Sequence, residues 1–232
     1  MNRSANLKRT LIFLAVLCAI EYVIFHILYT ALDGFNEYSI LSIRLSLAVF
    51  PAVGCAALIK LSVERAWLNV LYISLVRVPF SYLYAYMYMI YTNGFSSKEA
   101  FIIAIPAALV IAIIYGALVL LAYALMRLVF KLKHIEFIPD NHLPIKATEL
   151  SNPLTLGIAL FPAIIFAIQL LFEIISTISY FIDYGAIYRP LEIVWMVFSY
   201  LFLLIQLIAA TLLSCLLVNK LLINDRADGD NE

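Results

Sequence analysis

Charge is what this chain has least of. Only 13% of its 232 residues are Asp, Glu, Lys or Arg, against about a quarter in an ordinary soluble domain. With 65% hydrophobic residues and a mean hydropathy of +1.02, a water-solvated fold would hold more apolar surface than it could bury. That excludes a soluble globular domain. The 15 basic and 15 acidic side chains cancel, so no basic bulk awaits a nucleic acid. Cysteine is scarce too. Cys18, Cys55 and Cys215 fall in apolar segments with no CxxC spacing, and they read as small buried hydrophobes rather than disulfides or metal ligands. The chain has no GxxxxGK[ST], no HExxH and no GxSxG, which removes P-loop nucleotide hydrolysis and the commonest hydrolase signatures. No pair of acids is spaced for acid–base work inside a membrane. An enzyme reading therefore has no positive support, no catalytic residue is nominated and no cofactor is expected.

What the chain has instead is apolar length. A membrane span needs about 20 apolar residues, and six segments meet that measure: roughly 10–31, 39–61, 66–91, 100–130, 154–182 and 189–218. The expected fold is all-α, a polytopic six-helix bundle forming one integral membrane domain. The first run follows "MNRSANLKRT" but continues past signal-peptide length and carries Glu21, so it reads as a retained helix. "DGFNEYS" and "TNGFSSKE" have turn composition, and "SNPLT" is a helix start with a cap and a proline. Lys and Arg fall unevenly between the two sides. Arg3, Lys8, Arg9, Lys60, Arg65, Arg127, Lys131, Lys133, Lys146, Lys220 and Arg226 lie on one side, and Lys98 and Arg189 on the other. The basic side is expected to be cytoplasmic, which places both termini inside, along with the loop 131–152 and a short acidic tail at 219–232. In that loop His134, Glu136, Asp140 and His142 match no standard metal spacing, and a solvated interfacial loop is the simpler reading. Small residues recur at every fourth position, as Ala15 and Ala19, as Ala48, Ala52 and Ala56, and as Ala104, Ala108, Ala112 and Gly116. Such ridges let helices approach closely.

The candidate site comes from the few charges that do sit inside spans. Each costs about 2.5–3.5 kcal/mol to insert, so each needs a partner or a water-lined cavity. At 1.5 Å per residue, Glu21 and Arg77 both lie roughly 15 Å deep, near the midplane. Arg44, Glu173, Glu192 and His26 fall toward the outer side. Helical spacing then gathers polar stripes. Ser74, Arg77, Ser81, Tyr84, Tyr88 and Tyr91 form one on span three, and Gln169, Glu173, Ser176 and Tyr180 form one on span five. Glu192, Trp195, Ser199 and Gln206 form another on span six, and span one offers Tyr22, His26 and Tyr29 beside Glu21. Convergence of these stripes would make a polar cavity open to the exterior and closed near the midplane. The candidate substrate-binding residues are Arg77, Arg44, Glu21, Glu173, Tyr84, Tyr88, Trp195 and Glu192. The arginines would meet an acidic group of the solute, the acids would fix them or meet an amine, and the aromatics would stack on a flat moiety. The structural alternative is that these charges are internal ion pairs, Glu21 or Glu173 with Arg77, and Glu192 or Glu173 with Arg44. Tyrosines near a span end are then an ordinary aromatic belt, and His26 a satisfied core histidine.

From "SNPLTLGIALFPAIIFAIQLLFEI" through "YGAIYRPLEIVWMVFSY", the chain resembles a group of uncharacterised bacterial six-span membrane proteins. The shared features are the N-P opening, the late acid, the Y-G-A turn and the Glu–Ile pair. More loosely, its size, six spans, cytoplasmic termini and Ala15-x-x-x-Ala19 are similar to the substrate-binding S components of energy-coupling-factor transporters. A six-span cell-shape protein has a related build. The S-component resemblance implies a solute held near the extracellular face, a coupling subunit docked on the first span, and ATPases as energy source. Two functions from different classes follow as expectations. One is a non-catalytic solute-binding transport subunit in a bacterial inner membrane, its partners the lipid bilayer, a small-molecule solute, and a transporter coupling subunit with ATPases. The other is a structural scaffold that binds other membrane proteins. A proton-coupled carrier using Glu21 or Glu173 has less behind it, because the two halves show no inverted repeat.

Overall fold

A backbone in hydrocarbon has no water to bond, so a long apolar run closes each N–H onto the carbonyl four residues back. The computed structural model describes residues 3–31, 37–61, 66–132, 153–184 and 190–223. It forms six helices: α1 (Arg3–Ala31), α2 (Glu37–Lys60), α3 (Ala66–Tyr91), α4 (Ser97–Leu132), α5 (Pro153–Tyr184) and α6 (Pro190–Ile223). Each is long and apolar enough to cross a membrane, and no strand occurs among the described residues. The protein is an all-α, multi-pass six-helix bundle. His134, Glu136, Asp140 and His142, most of "DGFNEYS" and the tail from Asn224 lie outside the described residues.

The lengths carry consequences. The 36 residues of α4 extend about 54 Å at 1.5 Å per residue, well past a hydrocarbon core of about 30 Å, so this helix tilts or projects. Pro51, Pro79, Pro106 and Pro162 sit inside α2, α3, α4 and α5. Each removes one ladder hydrogen bond, a loss that packed membrane helices tolerate.

α2 is the axis of the bundle. It touches each of the other five helices, which surround it. Small residues make that position possible: Ala48, Ala52, Ala56 and Ala57 are all buried, interleaved with Val49, Phe50 and Val53. The most extensive pairing is α3 with α4. Here the ridge Ala100, Ala104, Ala108, Ala112 and Gly116 is buried throughout, and Gly116 lies directly against Val70 and Ser74 of α3. Lipid tails are as apolar as leucine, so close van der Waals fit rather than water exclusion drives this association.

The turn from α3 to α4 (residues 92–96) is built from local chemistry. Gly94 takes φ 67°, a left-handed conformation that glycine adopts at least cost, and the Phe95 N–H then reaches back to the Met89 carbonyl at 3.2 Å. Ser96 starts α4 as a capping box with Glu99: the Ser96 N–H donates to Glu99 Oε2 at 3.0 Å and the Glu99 N–H to Ser96 Oγ at 3.4 Å. This end of the bundle, called the turn end below, also holds the start of α2 and the end of α1. Toward it α5 is little covered, and nearly every described side chain from Ala167 to Ser179 is exposed. Thr177 there shares a 3.4 Å hydrogen bond with Tyr200 of α6.

Close approach at the axis yields a stability prediction. A methyl group added at Gly54 of α2 would stand 2.7 Å from Cγ2 of Val119 on α4, and a β-branched valine has little rotamer freedom with which to yield. Gly54→Ala should destabilise the bundle by about 1–3 kcal/mol. Adding Val119→Ala to it should cost less than the two single changes summed, as read by thermal unfolding in one detergent.

Candidate functional site

The site begins with a cation that has no water to turn to. Arg77 is 2% exposed and is the largest fully buried side chain among those described. It lies where α1, α2, α3 and α4 meet at mid-height, and each neighbour supplies a partner. From α1, Glu21 forms an ion pair with Arg77 Nη1 through Oε2, and Cys18 Sγ accepts a weak bond from the same nitrogen at 3.5 Å. From α2, Ser46 Oγ accepts from Nη2 at 2.6 Å. From α4, the Tyr115 hydroxyl accepts from Nη2 at 3.2 Å. The acceptors are themselves linked. Ser46 donates its one hydroxyl proton to Glu21 Oε2 at 2.9 Å, so the 3.0 Å contact between Ser46 and Tyr115 is a bond that Tyr115 donates. The result is a closed ring, Glu21–Ser46–Tyr115–Arg77, in which hydroxyl protons and lone pairs are consistently used.

Aromatic faces complete the enclosure. The guanidinium carbon is 4.3 Å from the Tyr115 ring centroid, 5.1 Å from Phe50 and 5.8 Å from Tyr84, all within cation–π range. Phe50 and Tyr115 meet edge to face at 5.4 Å. Of the five N–H groups on the guanidinium, four are thus taken by this chain. The fifth, on Nε, is buried and has no partner among the described residues, as are Glu21 Oε1 and the hydroxyls of Ser81 and Tyr84.

On the turn-end side of this cluster α2 parts from the α3–α4 pair and leaves a cavity of about 370 Å³. Arg77, Tyr84, Tyr88 and Tyr115 line it together with Ile43, Leu47, Ala85, Met89, Ala107, Ile111 and Ile114. Its floor is the Arg77 cluster, and its walls are almost wholly hydrocarbon. A polar cavity, the expectation from the stripes, is not what these walls make: the polar atoms of Arg77 and Tyr84 are turned into the packing.

Comparison of the chain with protein-family models, with curated proteins and with solved structures finds no match in any of the three. Chemistry at the site must therefore be read from the residues alone.

The residues nominated from sequence separate into groups. Arg77, Glu21, Tyr84 and Tyr88 come together around the cluster and its cavity. Arg44 and Glu173 pair with each other instead, 3.9 Å apart and partly exposed at 32% and 46%. Arg44 precedes Ser46 by two positions, about 200° around a helix, and so points toward α5 while Ser46 points at Arg77. The side chains of Glu192, Trp195 and Tyr180 lie outside the described residues. Ser176 and Ser199 are exposed, and Gln206 is buried with its amide oxygen unpartnered among the described residues. Among the described residues, no member of the α5 and α6 stripes partners Arg77. His26 is exposed and stacks on Tyr22 at 6.0 Å, not a core histidine. Tyr22, Phe25 and Tyr29 of α1 instead form an aromatic seam with Tyr84 and Tyr91 of α3, pinned by the Tyr22 hydroxyl on Met87 Sδ at 3.3 Å.

Three members were not nominated: Ser46, Tyr115 and Cys18. Tyr115 is the most telling. It follows Ala112 by three positions on the buried face of α4, where Tyr123 is the other hydroxyl, so position alone gives no sign of which of the two meets Arg77.

The pair should behave as a unit. Arg77→Met or Glu21→Met alone leaves an uncompensated buried charge and should lose about 3–5 kcal/mol. The double variant should recover about 0.5–3 kcal/mol of the summed loss, measured by unfolding in a fixed detergent.

Proposed function

We propose that this protein is a membrane-embedded binding subunit for a small amphipathic molecule, without catalytic activity of its own. The observation that carries the reading is the cavity of about 370 Å³ between α2, α3 and α4, floored by the Arg77 cluster. Ligand sites run to about 300–1,000 Å³ and favour the space between bundle helices. What sets this one apart from grooves of about 410 and 450 Å³ elsewhere on the bundle is the charged residue at its floor. A floor tied to four helices would transmit occupancy of the cavity to all of them at once. With the termini in the cytoplasm of a bacterial inner membrane, as the Lys and Arg distribution implies, the cavity belongs to the outward half. The similarity to transporter S components agrees with that placement. Ala15 and Ala19 on α1 are half-buried and leave a low ridge for a coupling subunit, whose ATPases would supply the energy.

One observation favours a second reading, a scaffold. All four terminal N–H groups of Arg77 are held by the chain's own acceptors, which is what a purely structural pin requires. Native mass spectrometry of protein released gently from its membrane separates the two. The binding reading expects a retained small-molecule mass that disappears in Ala107→Trp, which fills the cavity, along with a coupling subunit that co-purifies. A protein that never carries such a mass, and whose cavity-filled variant is no different, is a scaffold.

A further inference from the structure

The chemistry of the cavity says more than its volume does. Arg77 and Tyr115 form its floor but are only 2% and 4% exposed, and the carboxylate of Glu21 already balances the guanidinium. A solute acid could take a terminal N–H of Arg77 only by displacing its present acceptor, which would strand a charge or a hydroxyl in a dry interior. The remaining Nε–H is buried, with no surface open to the cavity. The Tyr84 hydroxyl is buried away from the opening. What does face the space is Leu47, Ala107, Ile111 and Ile114.

The position of the opening is equally specific. Ile114 lines the cavity, is 48% exposed and stands halfway along α4, at the level of Tyr115 and Arg77. Tyr88, nearer the turn end, also lines it and is 43% exposed. A wall residue half open to the surface at mid-height of a membrane helix borders lipid, not water. Between Ile114 and Tyr88 the cavity therefore has a side facing the bilayer, apolar at its deep end and phenolic at its shallow end. That gradient suits a molecule whose chain lies deep and whose polar head stays near the membrane surface.

We infer that the cavity takes the uncharged hydrocarbon chain of an amphiphile that enters sideways from the bilayer, and not a charged solute from the aqueous side. This deepens the binding-subunit reading and rests on it. Chain and bilayer are equally apolar, so selection would come from the shape of the space rather than from water exclusion.

Photolabelling of the full-length protein in phosphatidylcholine vesicles tests this with three diazirine probes: a phosphatidylcholine labelled in mid-chain, a mid-chain-labelled long alkanol, and a short water-soluble carboxylate. Mass spectrometry of the labelled peptides gives the readout. The chain probes should mark Leu47, Ala107 and Ile111 several-fold more than the carboxylate does. Ala107→Trp should erase those marks while leaving the ones on exposed Ile113 and Leu120. Marking by the phospholipid identifies a bilayer lipid as the source, and preferential marking by the alkanol identifies a free lipophilic solute. Preferential marking by the carboxylate would overturn the inference while leaving a ligand site in place. If no probe marks these residues, or if the marks survive Ala107→Trp, the inference fails, and in the first case the binding reading fails with it.

Discussion

Four of the six helices in this bundle meet around one guanidinium that cannot be hydrated. Placing Arg77 at mid-height commits the fold to supplying a carboxylate, two hydroxyls and three aromatic faces within a few ångströms. Those groups come from four different helices, so satisfying the cation fixes their heights and rotations relative to one another. In a membrane, where helix association has no hydrophobic drive, such a polar knot is an effective way to choose one packing among many. The apolar contacts then follow: α2, slim enough at Ala48, Ala52 and Ala56 to run down the centre, and α4, whose alanine ridge is buried throughout.

The same knot shapes the cavity. Ser46 and Tyr115 are drawn inward to meet Arg77, which brings α2 and α4 together at that level. Nearer the turn end no polar contact joins them among the described residues, and Ile43 and Leu47 on one side face Ala107, Ile111 and Ile114 on the other across open space. The cavity is thus a by-product of where the polar contacts stop. Because its floor is shared by four helices, a ligand that shifts Tyr84 or Tyr115 would be felt at Glu21 on α1, the helix proposed to meet a coupling subunit. The Arg44–Glu173 pair lies on the other flank of α2 and joins it to α5, whose described side chains at this end are mostly exposed.

Much of the architecture is legible in hydropathy alone, because the bilayer imposes one length scale and one hydrogen-bonding rule on every span. The site is less so. Arg77 and Glu21 stand out because charge in hydrocarbon is costly, and their equal depth made the pairing one of two open choices. Periodicity within α3 correctly put Arg77, Ser81 and Tyr84 on one face, yet it could not show that Tyr84 would turn toward α1 while Tyr88 faced a gap. Ser46 and Tyr115 are not legible because a hydroxyl among buried alanines carries no spacing pattern of its own. Their role exists only once helices are placed side by side. The stripe on α5 shows the matching limit: spacing gives a face, but not which neighbour that face meets, and Glu173 meets Arg44.

The claim at the centre is that the geometry of the guanidinium fork, and not merely a positive charge, holds four helices in register. Arg77→Lys tests it most directly, since lysine keeps the charge but offers one nitrogen in place of a planar fork. Compared with wild type and Arg77→Met by unfolding in the same detergent, Arg77→Lys is predicted to lose most of the stability that Arg77→Met loses. An Arg77→Lys protein as stable as wild type would contradict the account.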